Sequence, residues 1–306
     1  MKKVLLATTA LVFAASYAAA DGHAGVTVSG SANAGLKFSD QDGTAGNPEG
    51  SELFYELDFG IAGSTTTDGG IEVGASLDFD LDVGNQSDFI DDPEVFISAG
   101  GVTVTVGNVG SADGVVIGGL QDPGFDGIGI DDTATVFWDD GTANVLVEGE
   151  FGAVTVAASG NLAENETEAD DDYAVGASYD AGAFSVGAAF YELNEEEVFA
   201  IGATVSAGGA DIDLFFHQNQ DAVDPGDGDE GIAGYGASVT YPLGNISLVG
   251  TVGATDVEED EVDFGVGFEY DLGGGVALAG GVGSIDDPFA DDDSFAVADF
   301  GITMDF

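Results

Sequence analysis

Carboxylates are the chemistry this sequence offers in quantity. Its 306 residues hold 58 Asp and Glu against 3 Lys and Arg, a formal net charge of −55, with 2 His and no Cys. Nucleophilic hydrolysis needs an imidazole beside a hydroxyl or a carboxylate. The two histidines give little to build on, since His23 stands near the N-terminus and His217 on an alternating segment close to a loop. The expectation is that the protein is not an enzyme and carries no organic cofactor. Without cysteine there is neither a disulfide nor a thiolate metal site. Nucleic acid is excluded as a partner, because phosphate binding depends on Lys and Arg displacing counterions. Acids attract cations instead. The run Asp224-Pro-Gly-Asp-Gly-Asp-Glu230 offers Asp224, Asp227, Asp229 and Glu230 as oxygen ligands for calcium, with glycines for a tight turn but without the spaced pattern of an EF-hand loop. The plainer reading of this run, and of the acids at 164–172, 195–197 and 258–261, is a solvated surface.

A second set of carboxylates is placed by an alternating pattern. Glu52, Glu56 and Asp58 interleave with Leu53, Tyr55, Leu57 and Phe59, and Glu72, Asp78 and Asp80 interleave with Ile71, Val73, Leu77 and Phe79. Lys37 takes the polar face of 26–38 in the same way. A period of two means strands with one apolar and one polar face. Sixteen such segments follow, at 26–38, 51–62, 70–81, 93–99, 102–108, 133–149, 154–160, 172–179, 183–191, 198–205, 210–217, 232–240, 246–254, 262–270, 276–283 and 294–306. Connections after odd-numbered segments are long, and those after even-numbered ones are mostly tight, as at Gly100-Gly101 and Gly208-Gly209. An even strand count with long and short loops in alternation is the layout of a transmembrane barrel.

The expected fold is therefore all-β, a sixteen-stranded antiparallel transmembrane β-barrel whose apolar faces meet outer-membrane lipid and whose acidic faces hold water. The competing reading is a secreted or surface-bound acidic β-rich protein, calcium-binding or adhesin-like, built as a sandwich. A sandwich requires neither the alternation of loop lengths nor the strand-end aromatics Phe38, Trp138, Tyr179, Phe190, Phe216, Tyr241 and Tyr270, which suit membrane interfaces. Asp139-Asp-Gly-Thr142 breaks the phase within 133–153, by a bulge or by a hairpin that would raise the count to eighteen.

At the N-terminus a basic head, an apolar run from Val4 to Ala15 and Ser16-Tyr-Ala-Ala-Ala20 predict an export signal over 1–20, removed to leave 21–306 as the barrel. The longest break in the alternation is 109–132. It is predicted to fold inward as a third loop, with Val115, Val116, Ile117 and Leu120 on the inner wall. Asp113, Asp122, Asp126, Asp131 and Asp132 are the candidates for its pore-facing acids.

Four stretches carry a family likeness: Met1-Lys-Lys-Val-Leu-Leu-Ala-Thr-Thr-Ala10, Val26-Thr-Val-Ser-Gly-Ser-Ala-Asn-Ala-Gly-Leu36, Val104-Thr-Val-Gly-Asn-Val-Gly110 and Asp299-Phe-Gly-Ile-Thr-Met-Asp-Phe306. With them the chain resembles the general diffusion porins of Gram-negative bacteria, in their sixteen-stranded alphaproteobacterial form. The resemblance implies a homotrimer in the outer membrane passing small hydrophilic solutes and ions by passive diffusion. Phe300, Ile302, Met304 and Phe306 look like the signal read by the outer-membrane assembly machinery. The resemblance also implies a transverse field between loop carboxylates and arginines on the opposite wall. Here there is no arginine, and Lys37 is the one wall cation. The wall acids Glu52, Glu56, Asp58, Glu72, Asp78 and Asp80 would instead make the channel cation-selective.

Overall fold

The computed structural model describes residues 25–40, 50–82, 91–135, 138, 142–162, 173–193, 196–223, 230–256, 262–286 and 294–306. The predicted export signal, Asp224, Asp227, Asp229 and most of the outer-loop acids lie outside them, and for Glu230 only the backbone is described. The strands are β1 (Gly25–Ser39), β2 (Gly50–Thr66), β3 (Glu72–Asp82), β4 (Asp91–Ala99), β5 (Val102–Gly110), β6 (Thr142–Phe151), β7 (Val154–Gly160) and β8 (Tyr173–Asp180). They continue as β9 (Phe184–Leu193), β10 (Glu196–Ala207), β11 (Ala210–Val223), β12 (Glu230–Leu243), β13 (Ile246–Thr255), β14 (Val262–Gly273), β15 (Val276–Ile285) and β16 (Phe295–Asp305). Two short helices, α1 (Ala112–Val116) and α2 (Ile130–Thr135), stand between β5 and β6.

Every strand pairs antiparallel with its sequence neighbours, and β16 returns to β1 to close the barrel, with Ser31 opposite Asp305 and Ser39 opposite Val297. Closure removes sheet edges, so the backbone polar groups are satisfied within the wall and the wall can sit in hydrocarbon. Val26, Leu53, Val95 and Val266 are 60–72% exposed on the outer face. A sandwich would bury these side chains as its core, whereas a barrel presents them to lipid. No described helix is long and apolar enough to cross a membrane. The tight turns follow local rules: Gly100 and Gly101 have φ of +63° and +84°, the pair of positive values that a two-residue hairpin turn demands.

The sixth strand departs from expectation. Residues 133–135 are helical, and the strand begins only at Thr142. The alternation starting at Ala134 overlaps a helical spacing, for the buried residues of α2 are Ile130, Thr133 and Ala134, at i, i+3 and i+4. No additional hairpin forms among the described residues, and the strand count stays at sixteen. Trp138 also moves from the expected interfacial girdle to the inside, where its ring lies 5.0 Å from that of the buried Phe215.

Candidate functional site

The long β5–β6 connection lies inside the barrel, and the wall is shaped to receive it. From Gly110 the chain enters α1, whose N-terminal amide at Ala112 donates to the Ser159 hydroxyl of β7 at 2.9 Å. Val116 and Ile117 are at most 4% exposed. They lie over inward-facing glycines of β8, β9 and β10. A Cβ at Gly187 would collide with the Val116 carbonyl, and one at Gly202 would come within 2.8 Å of the Gly118 carbonyl. Leu120 covers Gly236 of β12, Pro123 and Gly124 cover Gly267 and Gly281, and the Phe125 ring covers Gly35 and Gly301 at the β1–β16 seam. The return path runs over β14 and β15, where Ile130 fills the space above Gly265 and Gly283, and α2 then lies on Gly253. At each of these positions loop atoms stand where a wall side chain would be, so the glycines form a groove for the loop.

Three carboxylates from the wall hold it there. Asp213 of β11 accepts from Thr204 at 2.8 Å and Ser238 at 3.0 Å, and the Ser238 oxygen accepts the Gln121 N–H at 2.9 Å. Asp263 of β14, fully buried, accepts the Thr133 hydroxyl and the Asp286 N–H. Asp299 of β16 accepts the N–H groups of Phe125 and Asp126 at 2.8 and 3.2 Å. The loop adds an internal brace: Asp122 accepts the Gly129 N–H at 2.7 Å and the Ile130 N–H at 3.2 Å. Burial pushes the Asp122 carboxyl up to about 7, the nearby Asp131 charge adds to the rise, and the two N–H groups work against it.

The loop acids thus have different fates. Asp113 is fully buried in α1 and faces no water, Asp122 is spent on the brace, and Asp126 is ion-paired with Lys37. Asp131 is half-buried and Asp132 exposed at the start of α2. Sequence position alone made all five equivalent.

Beyond the loop's tip lie the inward faces of β2 and β3. Lys37 stands between Glu52 on β2 and Asp299 on β16 in the strand registers, and its ammonium reaches the loop at Asp126. Glu56 accepts from Asn33 at 3.2 Å, Asp58 from Ser31 at 2.9 Å and Glu72 from Ser64 at 2.8 Å. Asp58 and Asp80 are direct cross-strand partners, and Asp78 faces Gly60 two pairs along. Oxygens of Glu56, Asp58 and Asp80 lie within 4.8 Å of one another, with no Lys or Arg in the trio. Like charges so close raise the local negative potential. The acidic wall extends to residues that the sequence reading did not single out: Glu94, which accepts from Ser76 at 3.1 Å, and Glu148 and Glu150 on β6. The last two were obscured by the misplaced start of that strand. His217 is fully buried beneath α2 beside Phe215, and neither of its ring nitrogens is hydrogen-bonded to a hydroxyl.

The closed sixteen-stranded barrel is matched by known proteins. The Gram-negative porin family matches residues 7–288. The chain belongs to that family. It is 27% identical over 314 residues to a porin of Rhodobacter capsulatus, covering 92% of this chain and 100% of the relative. Two solved variants of the Rhodopseudomonas blastica porin, each 21% identical, superpose with TM-scores of 0.74 over 92% of this chain and 100% of theirs. As a porin the barrel is an integral outer-membrane protein and forms a channel. The porin's apolar belt is then its lipid contact.

Proposed function

We propose that this porin is a cation-selective pore for small hydrophilic solutes, in which the β5–β6 loop is the constriction and the acids of β2 and β3 are the opposite rim. The observation that carries the reading is the imbalance of charge at the loop's tip. The one wall cation, Lys37, is taken up by Asp126, while Glu56, Asp58 and Asp80 crowd together with no Lys or Arg among them. Rings of carboxylate within low-dielectric walls concentrate cations and repel anions. A barrel of sixteen strands encloses an aqueous channel, and the loop is what narrows it to the size of metabolites. The pore works as a homotrimer, as the family resemblance implies. Phe300, Ile302, Met304 and Phe306, each 39–55% exposed on one outer face, serve as its assembly signal.

The test is the reversal potential of the purified protein in planar bilayers across a tenfold KCl gradient. Wild type should prefer potassium. The combined Glu56→Gln, Asp58→Asn and Asp80→Asn variant should lose much of that preference, and Glu197→Gln, at the start of β10, should lose little. An anion-preferring wild-type channel would overturn the reading.

A further inference from the structure

The Asp299 carboxylate has a more specific task than holding the loop. Its Oδ2 accepts the N–H groups of Phe125 and Asp126, and its Oδ1 accepts the Gly281 N–H of the adjacent strand at 2.7 Å. It is 7% exposed and stands directly opposite Lys37 in the β1–β16 register. The two loop donors belong to the residues whose side chains form the tip. The Phe125 ring meets Phe54 edge-on with centroids 6.0 Å apart, and the Asp126 carboxylate binds Lys37. Two consecutive N–H groups converging on one oxygen fix the peptide planes on either side of Phe125. The direction in which the Asp126 side chain leaves the backbone is fixed with them. Gly124 lies so close, at φ +120°, that a Cβ there would be 2.6 Å from the Asp299 Oδ1.

We propose that Asp299 is a specificity-determining positioning residue, which turns the loop tip so that Asp126 engages Lys37 and the permeation path is left to the acids of β2 and β3. The chemistry requires a carboxylate. Both of its oxygens face N–H donors, so an amide would direct its own NH2 group at a donor whichever way it is turned. The proposal rests on reading the β5–β6 loop as the constriction.

A double-mutant cycle on the intact porin tests it, using reversal potentials for Asp299→Asn, Asp126→Asn and the pair. Asp126→Asn should lower the potassium-to-chloride permeability ratio by removing the partner of Lys37. Asp299→Asn should shift it the same way, and the double variant should shift it no further than the larger single change. Additive shifts, or a folded Asp299→Asn channel with the wild-type potential, would overturn the proposal. A purely structural role would change heat stability without this coupling. Should Asp299→Asn not fold, Gly124→Ala decides: it leaves the wall carboxylate intact and pushes the loop off it, and it should reproduce the shift. A folded Gly124→Ala channel with the wild-type potential overturns the proposal equally. Deletion of residues 112–128 separates the two levels. Unchanged conductance after deletion would remove the constriction itself, whereas a raised conductance together with a silent Asp299→Asn would remove only the role of Asp299.

Discussion

Lys37 and Asp126 form an ion pair that ties β1 to the tip of the inner loop, with the Lys37 ammonium 4.3 Å from the centroid of the Phe54 ring. The pair is partly shielded, with side-chain exposures of 29% and 13%. The cation is therefore neutralised on one side and held against a π-face on the other, leaving little of its charge to repel permeant cations.

Replacing it tests that balance. Lys37→Met keeps the stem and removes the charge, so Asp126 is left uncancelled beside the channel. Potassium preference should rise, and the barrel should lose on the order of 1–2 kcal/mol from the broken pair and the lost cation–π contact. Reversal potential and the temperature of the heat-induced gel shift measure the two effects. A fall in potassium preference would contradict the pairing.

The glycine groove makes a sharper structural prediction. Gly187→Ala places a methyl group where the Val116 carbonyl lies, whereas Gly119→Ala, in the loop itself, meets nothing within 4 Å. The first should cost about 1–3 kcal/mol by overpacking and raise conductance as the loop lifts. The second should leave both stability and conductance near wild type. Equal behaviour of the two variants would mean that the loop is not seated on the wall glycines.

The Asp122 brace should respond to pH. A carboxyl raised from 3.8 to about 7 in the folded loop stabilises it fully below the lower value, and loses that contribution as pH rises through the upper one. Amide hydrogen exchange at Gly129 and Ile130, corrected for intrinsic rates, should show more protection at about pH 5 than at about pH 8. Asp122→Asn should abolish the difference. Protection that rises with pH would reverse the sign and refute the assignment.

Selectivity that comes from wall acids must also fade with salt. The Debye length falls from about 10 Å at 0.1 M to about 3 Å at 1 M. Potassium preference measured at a fixed gradient ratio should therefore decline as the mean concentration rises, and decline further when a divalent cation is added. A preference insensitive to salt would point to a steric filter instead of a field.

The residues show why some of this was legible in advance. Alternation is a local property of an extended chain, so Glu52, Glu56 and Asp58 could be assigned to the inner face from their neighbours alone, and the loop rhythm supplied the strand count. Glu94 was legible by the same rule. Residues 133–135 were misread because a stretch with apolar residues at both two-residue and helical spacings follows whichever surface is offered to it. The wall offered Gly253, on which α2 could lie.

From its sequence alone the protein had a determined architecture: sixteen amphipathic strands, lipid-facing outside and acidic inside, with one long insert and one cation to face it. Tertiary structure decided which acids still meet water. Asp113 is buried, Asp122 braces the loop and Asp126 is paired, while Glu56, Asp58 and Asp80 lie together across β2 and β3. The physical reason is distance along the chain. The Phe125 N–H finds its acceptor 174 residues away on Asp299, and Thr133 finds Asp263 across 130. Local patterns say which face a carboxylate points from, but only the closed barrel brings a partner to it.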